Sequence, residues 1–319
     1  MAQTLADYLA RNATPQTGAV ILGLSAVAAT TATRIAASGS GAALQAEVGS
    51  AFAACLAPPG VRFFASRTQG GVAEVSPDGT LAAAIDPLDA ADIEANTPPG
   101  TLFSLYPAVP GEPEAGFLRP GTQQTAAGFF LYGPRTTLML TTGQGTALFD
   151  LDHTTGDRET AVFRLANPEL QIPPGSAKFA ANAADYRHWE PPVRRFVDDC
   201  LSGADGPRGQ DFNMRWTGSL AAETLRILMR GGIYLAPHGT SAPHPLIHHC
   251  HPVAMLIEQA GGQATDGQSR LLDTVARTLD ATSPLVFGSP GKIARVAAYH
   301  DLPDSEASRL FGQRGLFRF

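Results

Sequence analysis

The stretch "AAGFFLYGPRTTLMLTTGQGTALFDLD", residues 126–152, reads as successive strands broken at Gly133-Pro134 and at Gly143-Gln144-Gly145. Its aromatic and β-branched residues suit a pleated surface, and its turns are short enough to reverse the chain at once. Upstream lie three more strand-like runs: "VRFFAS" from residue 61, "TLAAAIDP" from residue 80 and "GTLFSLYPAV" from residue 100. Together they predict a large, mostly antiparallel mixed sheet. Before them, residues 3–12, 18–38 and about 42–57 read as helices, the second closing at Ser38-Gly39 and the third at Pro58-Pro59-Gly60.

After about residue 165 the pattern changes. "PPVRRFVDDCLSG" is a helix with proline in its first turn. "GSLAAETLRILMRGG" is a helix capped by Ser219 and stopped at Gly231-Gly232, and "PVAMLIEQAGG" is another of the same kind. Strands "IYLAP" and "PLVFGS" alternate with them. The expected fold is α/β, a layered α/β/α/β/α sandwich of two sheets between helices. The expected halves are residues 1–165 and 166–319.

Composition bounds the function. The chain has 319 residues, is 44% apolar and 16% charged, and carries a net charge of -6. It has a sizeable core to bury and no basic face of the kind nucleic acid requires. Lysine occurs only at Lys178 and Lys292. Cys55, Cys200 and Cys250 form no CxxC pair, which fits a reducing cytoplasm rather than a disulfide framework. The apolar run "GAVILGLSAVAATTATRIAA" lacks the basic start and short apolar block of a signal peptide, and is expected to be a buried helix, not a membrane span.

Candidate chemistry starts at "AIDPLDAADIEAN", residues 84–96. It packs Asp86, Asp89, Asp92 and Glu94 into nine residues after an apolar run. Carboxylates at that density suit a hard divalent cation. The plainer reading is a turn after a strand, with Asp89 capping the next segment.

Long ordered blocks then carry a resemblance. "DPLD" (86–89), "GTLFSLYP" (100–107), "AAGFFLYGPRTTLMLTTGQG" (126–145), "NAADYRHWEPPVRRFVDD" (182–199), "NMRWTGSLAAETLRILMRGGIYLAP" (213–237) and "HPVAMLIEQAGGQATDG" (251–267) occur in this order. The chain resembles class I fructose-1,6-bisphosphatases of the Calvin-cycle bacterial type. That resemblance implies a sandwich of five layers, a cytoplasmic homotetramer, and Mg2+-assisted hydrolysis of the 1-phosphate of fructose 1,6-bisphosphate. It implies Asp86 and Asp89 as metal ligands. It implies Asn182, Tyr186, Arg215, Gly218 and Ser219 as substrate-binding positions, with Arg215 reaching into a neighbouring subunit.

Other positions depart from the pattern. The family's Ser-Glu-Glu run aligns with "SRT", so Arg67 and Thr68 stand where two ligand glutamates belong. A gapped alternative places Glu74 at one of them. Arg67 is either a solvated surface cation or the partner of Asp86 or Asp89 in place of a metal. Ala90 and Ala91 replace Gly-Ser-Ser of the phosphate cradle, in a loop one residue shorter. Ala236 replaces a tyrosine, and Pro243 stands nearest the family's phosphate-binding lysine. His249 replaces a further ligand glutamate. His244, His248, Cys250 and His251 surround it, but in an extended segment no more than about two of these could reach one ion, so a zinc site is not expected. Losing one ligand carboxylate costs about a hundredfold or more in rate. Impaired hydrolysis is therefore expected. The alternative role is an inactive family member, acting as a structural or regulatory subunit beside an active paralogue or as a sugar-phosphate-binding protein.

Overall fold

A computed structural model describes residues 3–38, 41–56, 60–89, 96–152 and 161–301 of the chain. Helices α1 (Leu5–Asn12), α2 (Pro15–Ser38) and α3 (Gly41–Cys55) come first. Thr4 and Asp7 close a reciprocal capping box on α1. The next strands are β1 (Val61–Ser66), β2 (Ala73–Glu74), β3 (Leu81–Asp89), β4 (Gly100–Pro107), β5 (Ala126–Tyr132), β6 (Thr136–Thr141), β7 (Thr146–Asp152) and β8 (Val162–Asn167). They form one eight-stranded sheet in the order β2-β1-β3-β4-β5-β6-β7-β8. Every pairing is antiparallel except β1 with β3.

The second sheet uses β9 (Lys178–Ala181), β10 (Asn213–Met214), β11 (Ile233–Ala236), β13 (Gln263–Thr265) and β15 (Leu285–Gly288), in the order β10-β9-β11-β15-β13. A two-residue ladder joins β12 (His244–Pro245) to β14 (Thr282–Ser283). Helices α4 (Pro191–Leu201), α5 (Leu220–Arg230), α6 (His251–Gln259) and α7 (Pro290–His300) complete the set.

Three cores separate five layers. Leu24, Phe52, Ile85, Phe103 and Phe130 pack α1–α3 on the outer face of the first sheet. Ala82, Phe129, Ile227, Leu256 and Phe287 fill the space between the sheets, where α5 and α6 lie. Phe179, Phe196, Val286 and Val296 join the second sheet to α4 and α7. The α/β/α/β/α sandwich expected from the sequence is the architecture found.

Some elements escape the sequence reading. β8 is a half-exposed edge strand whose Arg164 and Asn167 break the alternation. β9 has only four residues, and α7 opens on Ser289-Pro290-Gly291, which reads as a turn. The segment Leu246–Cys250 is also not extended as expected. It is one wide helical turn leading into α6. Finally, α2 is long and apolar enough by composition to cross a membrane, yet only 33% of its most apolar window is buried, against the expectation of a buried helix. Its Ala and Thr residues rest one face on the sheet and on α3 and present the other outward.

Candidate functional site

The site begins with an irregularity in β3. Asp86 pairs with Leu102 and Asp89 with Gly100, so three residues of β3 oppose two of β4. In a regular strand, residues three apart face opposite sides. The extra residue restores the phase, so Asp86 and Asp89 both turn inward between the sheets, while Leu88 joins the outer core. Thr101 Oγ1 donates to the Pro87 carbonyl at 2.6 Å and holds the bulge.

Asp86 is fully buried. Its Oδ2 accepts from Arg67 Nε at 2.6 Å and from His249 Nε2 at 2.6 Å. Burial pushes the Asp86 pKa up, but the His249 hydrogen bond and charge and the Arg67 guanidinium outweigh this and hold it below the usual carboxylate range. Asp86 Oδ1 has no hydrogen-bond partner among the described residues. Asp89 Oδ1 lies 4.0 Å from His249 Nε2. Asp86, Asp89 and His249 thus offer ligand atoms within 4.8 Å of one another, a cluster able to hold a metal ion.

The wide turn aims its histidines in different directions. His249 meets Asp86, His248 Nε2 donates to the Ala65 carbonyl at 3.3 Å, and His251 Nδ1 meets Tyr106 Oη at 2.8 Å. Behind His249 a chain of contacts continues. His249 Nδ1 lies 3.3 Å from His244 Nδ1, and His244 Nε2 lies 2.9 Å from Tyr234 Oη. Burial lowers the His244 pKa to about 3, helped by His249 and Arg67. Tyr234 is stacked between Trp216 and Phe287, with centroids 5.8 and 4.9 Å away.

A cavity of about 250 Å³ opens on this chain. Arg67, Asp89, His249, Ala236, Pro243, Asn182 and Gly218 line it, as do Trp189, Trp216, Tyr234, Thr240 and His244. Other sequence candidates stand elsewhere. Tyr186 Oη donates to Asp198 at 2.6 Å, Ser219 caps α5 by accepting from the Ala222 N–H, and Arg215 is exposed and donates to the Met214 carbonyl. Thr68 Oγ1 lies 3.1 Å from Ser66 Oγ. Glu74 is an exposed residue at the sheet edge, paired with Arg62, so it does not replace a lost ligand at Asp86. Ala90, Ala91, Asp92 and Glu94 lie outside the described residues.

Sequence reasoning missed Trp216, Tyr234 and Asp185. Asp185 Oδ2 accepts from Asn182 Nδ2, Thr240 Oγ1 and Ser241 Oγ, each at 3.1 Å, and so ties the cavity's far wall together. Trp216 could have been singled out as a large aromatic beside Gly218, where a turn leaves it half-exposed.

Comparison with known proteins decides the family. Residues 53–161 match the family described as fructose-1-6-bisphosphatase, N-terminal domain, and residues 172–301 match its C-terminal domain. The chain belongs to the fructose-1,6-bisphosphatase family. It is 50% identical over 273 residues to "Fructose-1,6-bisphosphatase class 1" of Paracoccus denitrificans, a match spanning 84% of this chain and 81% of that one. It is 46% identical over 274 residues to a class 1 protein of Cereibacter sphaeroides, covering 84% and 80%. Among solved structures, fructose-1,6-bisphosphatase of Leishmania major in apo form superposes with a TM-score of 0.87 at 25% identity, over 95% of this chain and all of that one. In this member of the fructose-1,6-bisphosphatase family, Arg67 and His249 meet on one oxygen of Asp86.

Proposed function

We propose that this chain is a sugar-phosphate-binding member of the fructose-1,6-bisphosphatase family. In this reading, Mg2+-dependent hydrolysis of the 1-phosphate of fructose 1,6-bisphosphate is strongly impaired. One observation carries it: Arg67 Nε and His249 Nε2 both sit 2.6 Å from the same buried oxygen of Asp86. Mg2+ demands near-octahedral oxygen ligation. The donor set among the described residues is two carboxylates and an imidazole nitrogen, with a fixed cation already against one carboxylate. These residues do not fit Mg2+ while Arg67 holds that position. No hydrolytic step is derived through the metal.

The wider reading is a cytoplasmic homotetramer or a hetero-oligomer with an active relative, built from halves 1–165 and 166–319, with Arg215 at a subunit boundary. Three free cysteines and the exposed Arg215 support it. A working bisphosphatase is the second reading. It is favoured by the 50% identity to a protein of that name and by the unpartnered Asp86 Oδ1.

Phosphate release from fructose 1,6-bisphosphate with Mg2+ or Mn2+ separates the two. The expected rate is below about 1% of the Paracoccus relative's. A rate near the relative's would establish the second reading. Restoring Arg67→Glu, Thr68→Glu and His249→Glu together should create divalent-metal binding measurable by calorimetry. No binding in that folded variant would count against these residues as the former ligand positions.

A further inference from the structure

Lysine is scarce in this chain, and one of its two copies is buried. Lys292 lies in the first turn of α7, at the positive end of that helix, where an acidic side chain would be favoured. Only 9% of it is exposed. Its amine lies 4.4 Å from the centre of the Phe212 ring and meets no carboxylate among the described residues. More cations converge on the same spot. Arg208 Cζ stands 5.0 Å from the centre of the Phe212 ring and 5.1 Å from that of Phe196. Its Nη1 is buried without a hydrogen-bond partner. Arg295 follows Lys292 by three residues, on the same side of α7. A nearby acid, Asp199, already accepts from Tyr299 Oη. Burial lowers the Lys292 pKa, and Arg208 and Arg295 lower it further.

Like charges gathered at a buried amine oppose one another unless an anion joins them. The ring face of Phe212 offsets part of that cost. It gives no acceptor to an ammonium that can donate three hydrogen bonds, nor to the idle Arg208 Nη1. We propose that Lys292, Arg208 and Arg295 form an anion site in the layer of α4 and α7, and that its ligand is a phosphate group, free or as a monoester. A cluster of several cations matches a dianion better than the single charge of a carboxylate. The oxygens of one phosphate can accept from a guanidinium and an ammonium together. Neither Lys292 nor Arg208 lines the Arg67 cavity, so the site is independent of the ligand bound there.

The test is thermal unfolding of the full chain in a chelator, at matched ionic strength, in chloride, acetate, inorganic phosphate or glycerol 3-phosphate. Saturating phosphate should raise the Tm of the unmodified protein by about 3 °C or more over chloride, and acetate should not. Lys292→Met keeps an unbranched stem and removes the charge. In chloride it should be at least as stable as the unmodified protein. In phosphate it should lose at least half of the gain, because any phosphate held at Arg67 adds equally to both. Arg208→Gln should lose the gain too, and carries the test alone if the first variant does not fold. Glycerol 3-phosphate matching phosphate supports an ester ligand, and a gain from phosphate alone supports the free ion. Equal gains in all three proteins would place the phosphate elsewhere and overturn the inference. No gain in the unmodified protein, or the same gain from acetate, overturns it as well. A lower Tm of Lys292→Met in chloride would show the amine already satisfied, by Phe212 or by an acid of another copy of the chain, and would also overturn it.

Discussion

Asp86 carries its charge with no exposed surface, so its surroundings must supply what water does not. Arg67 and His249 do so from two sides of one oxygen. Removing either leaves a buried carboxylate short of a partner. Arg67→Ala should therefore cost about 1–3 kcal/mol, less than a fully buried pair because Arg67 is 42% exposed. Asp86→Asn in the same background should recover part of that loss. A urea-unfolding cycle over the two substitutions measures the coupling. A loss in the double variant equal to the sum of the two single losses would show that the pair contributes nothing. Sequence alone left open whether Arg67 faced solvent or paired with Asp86 or Asp89. Side-chain direction after a strand end depends on how the next turn lies, and in this chain the Arg67 N–H is held to the Ile85 carbonyl.

At the scale of elements, the centre of the large sheet is set by one close approach. Gly128 of β5 pairs with Phe103 of β4, and a Cβ there would lie 2.5 Å from the Phe103 ring and 2.6 Å from the Met139 carbonyl. Neither neighbour has room to move between strands. Gly128→Ala is expected to cost about 3 kcal/mol, read as a lower urea midpoint with an unchanged slope. A shift within error would mean the strands can separate locally. Such strands were legible because their turns fall at Gly133-Pro134 and Gly143-Gln144-Gly145, and α5 was legible from Ser219 and Gly231. Pairing across distance was not. The bulge at Asp86–Asp89 needs β4 as its partner, and "DPLD" by itself does not say that an extra residue is inserted. The Tyr234–His244–His249 chain joins β11 to a wide turn, and single-residue types give no sign of it.

At the scale of the whole molecule, three buried histidines link stability to pH. Burial lowers the pKa of His244 to about 3, of His248 to about 4 and of His251 to about 4. The unfolded chain binds a proton at each near pH 6.5, whereas the folded chain does not. Stability is therefore complete above about pH 6.5 and falls as pH drops towards these folded values. Asp86 adds a loss in the same direction at still lower pH, because its folded pKa is depressed. By pH 5 each histidine should have cost about 2 kcal/mol. Urea midpoints at pH 7.5 and pH 5 test this, and equal midpoints would refute it. The bulge in β3, for its part, forces two carboxylates inward whatever else the protein contains, so the fold has a standing requirement for positive charge at that spot. A dissociable ion meets such a requirement only while the solution supplies it. A guanidinium on the same polypeptide cannot be diluted, chelated or exchanged. The melting temperature of this protein should accordingly be the same in millimolar EDTA as in millimolar Mg2+, making its folding independent of metal supply.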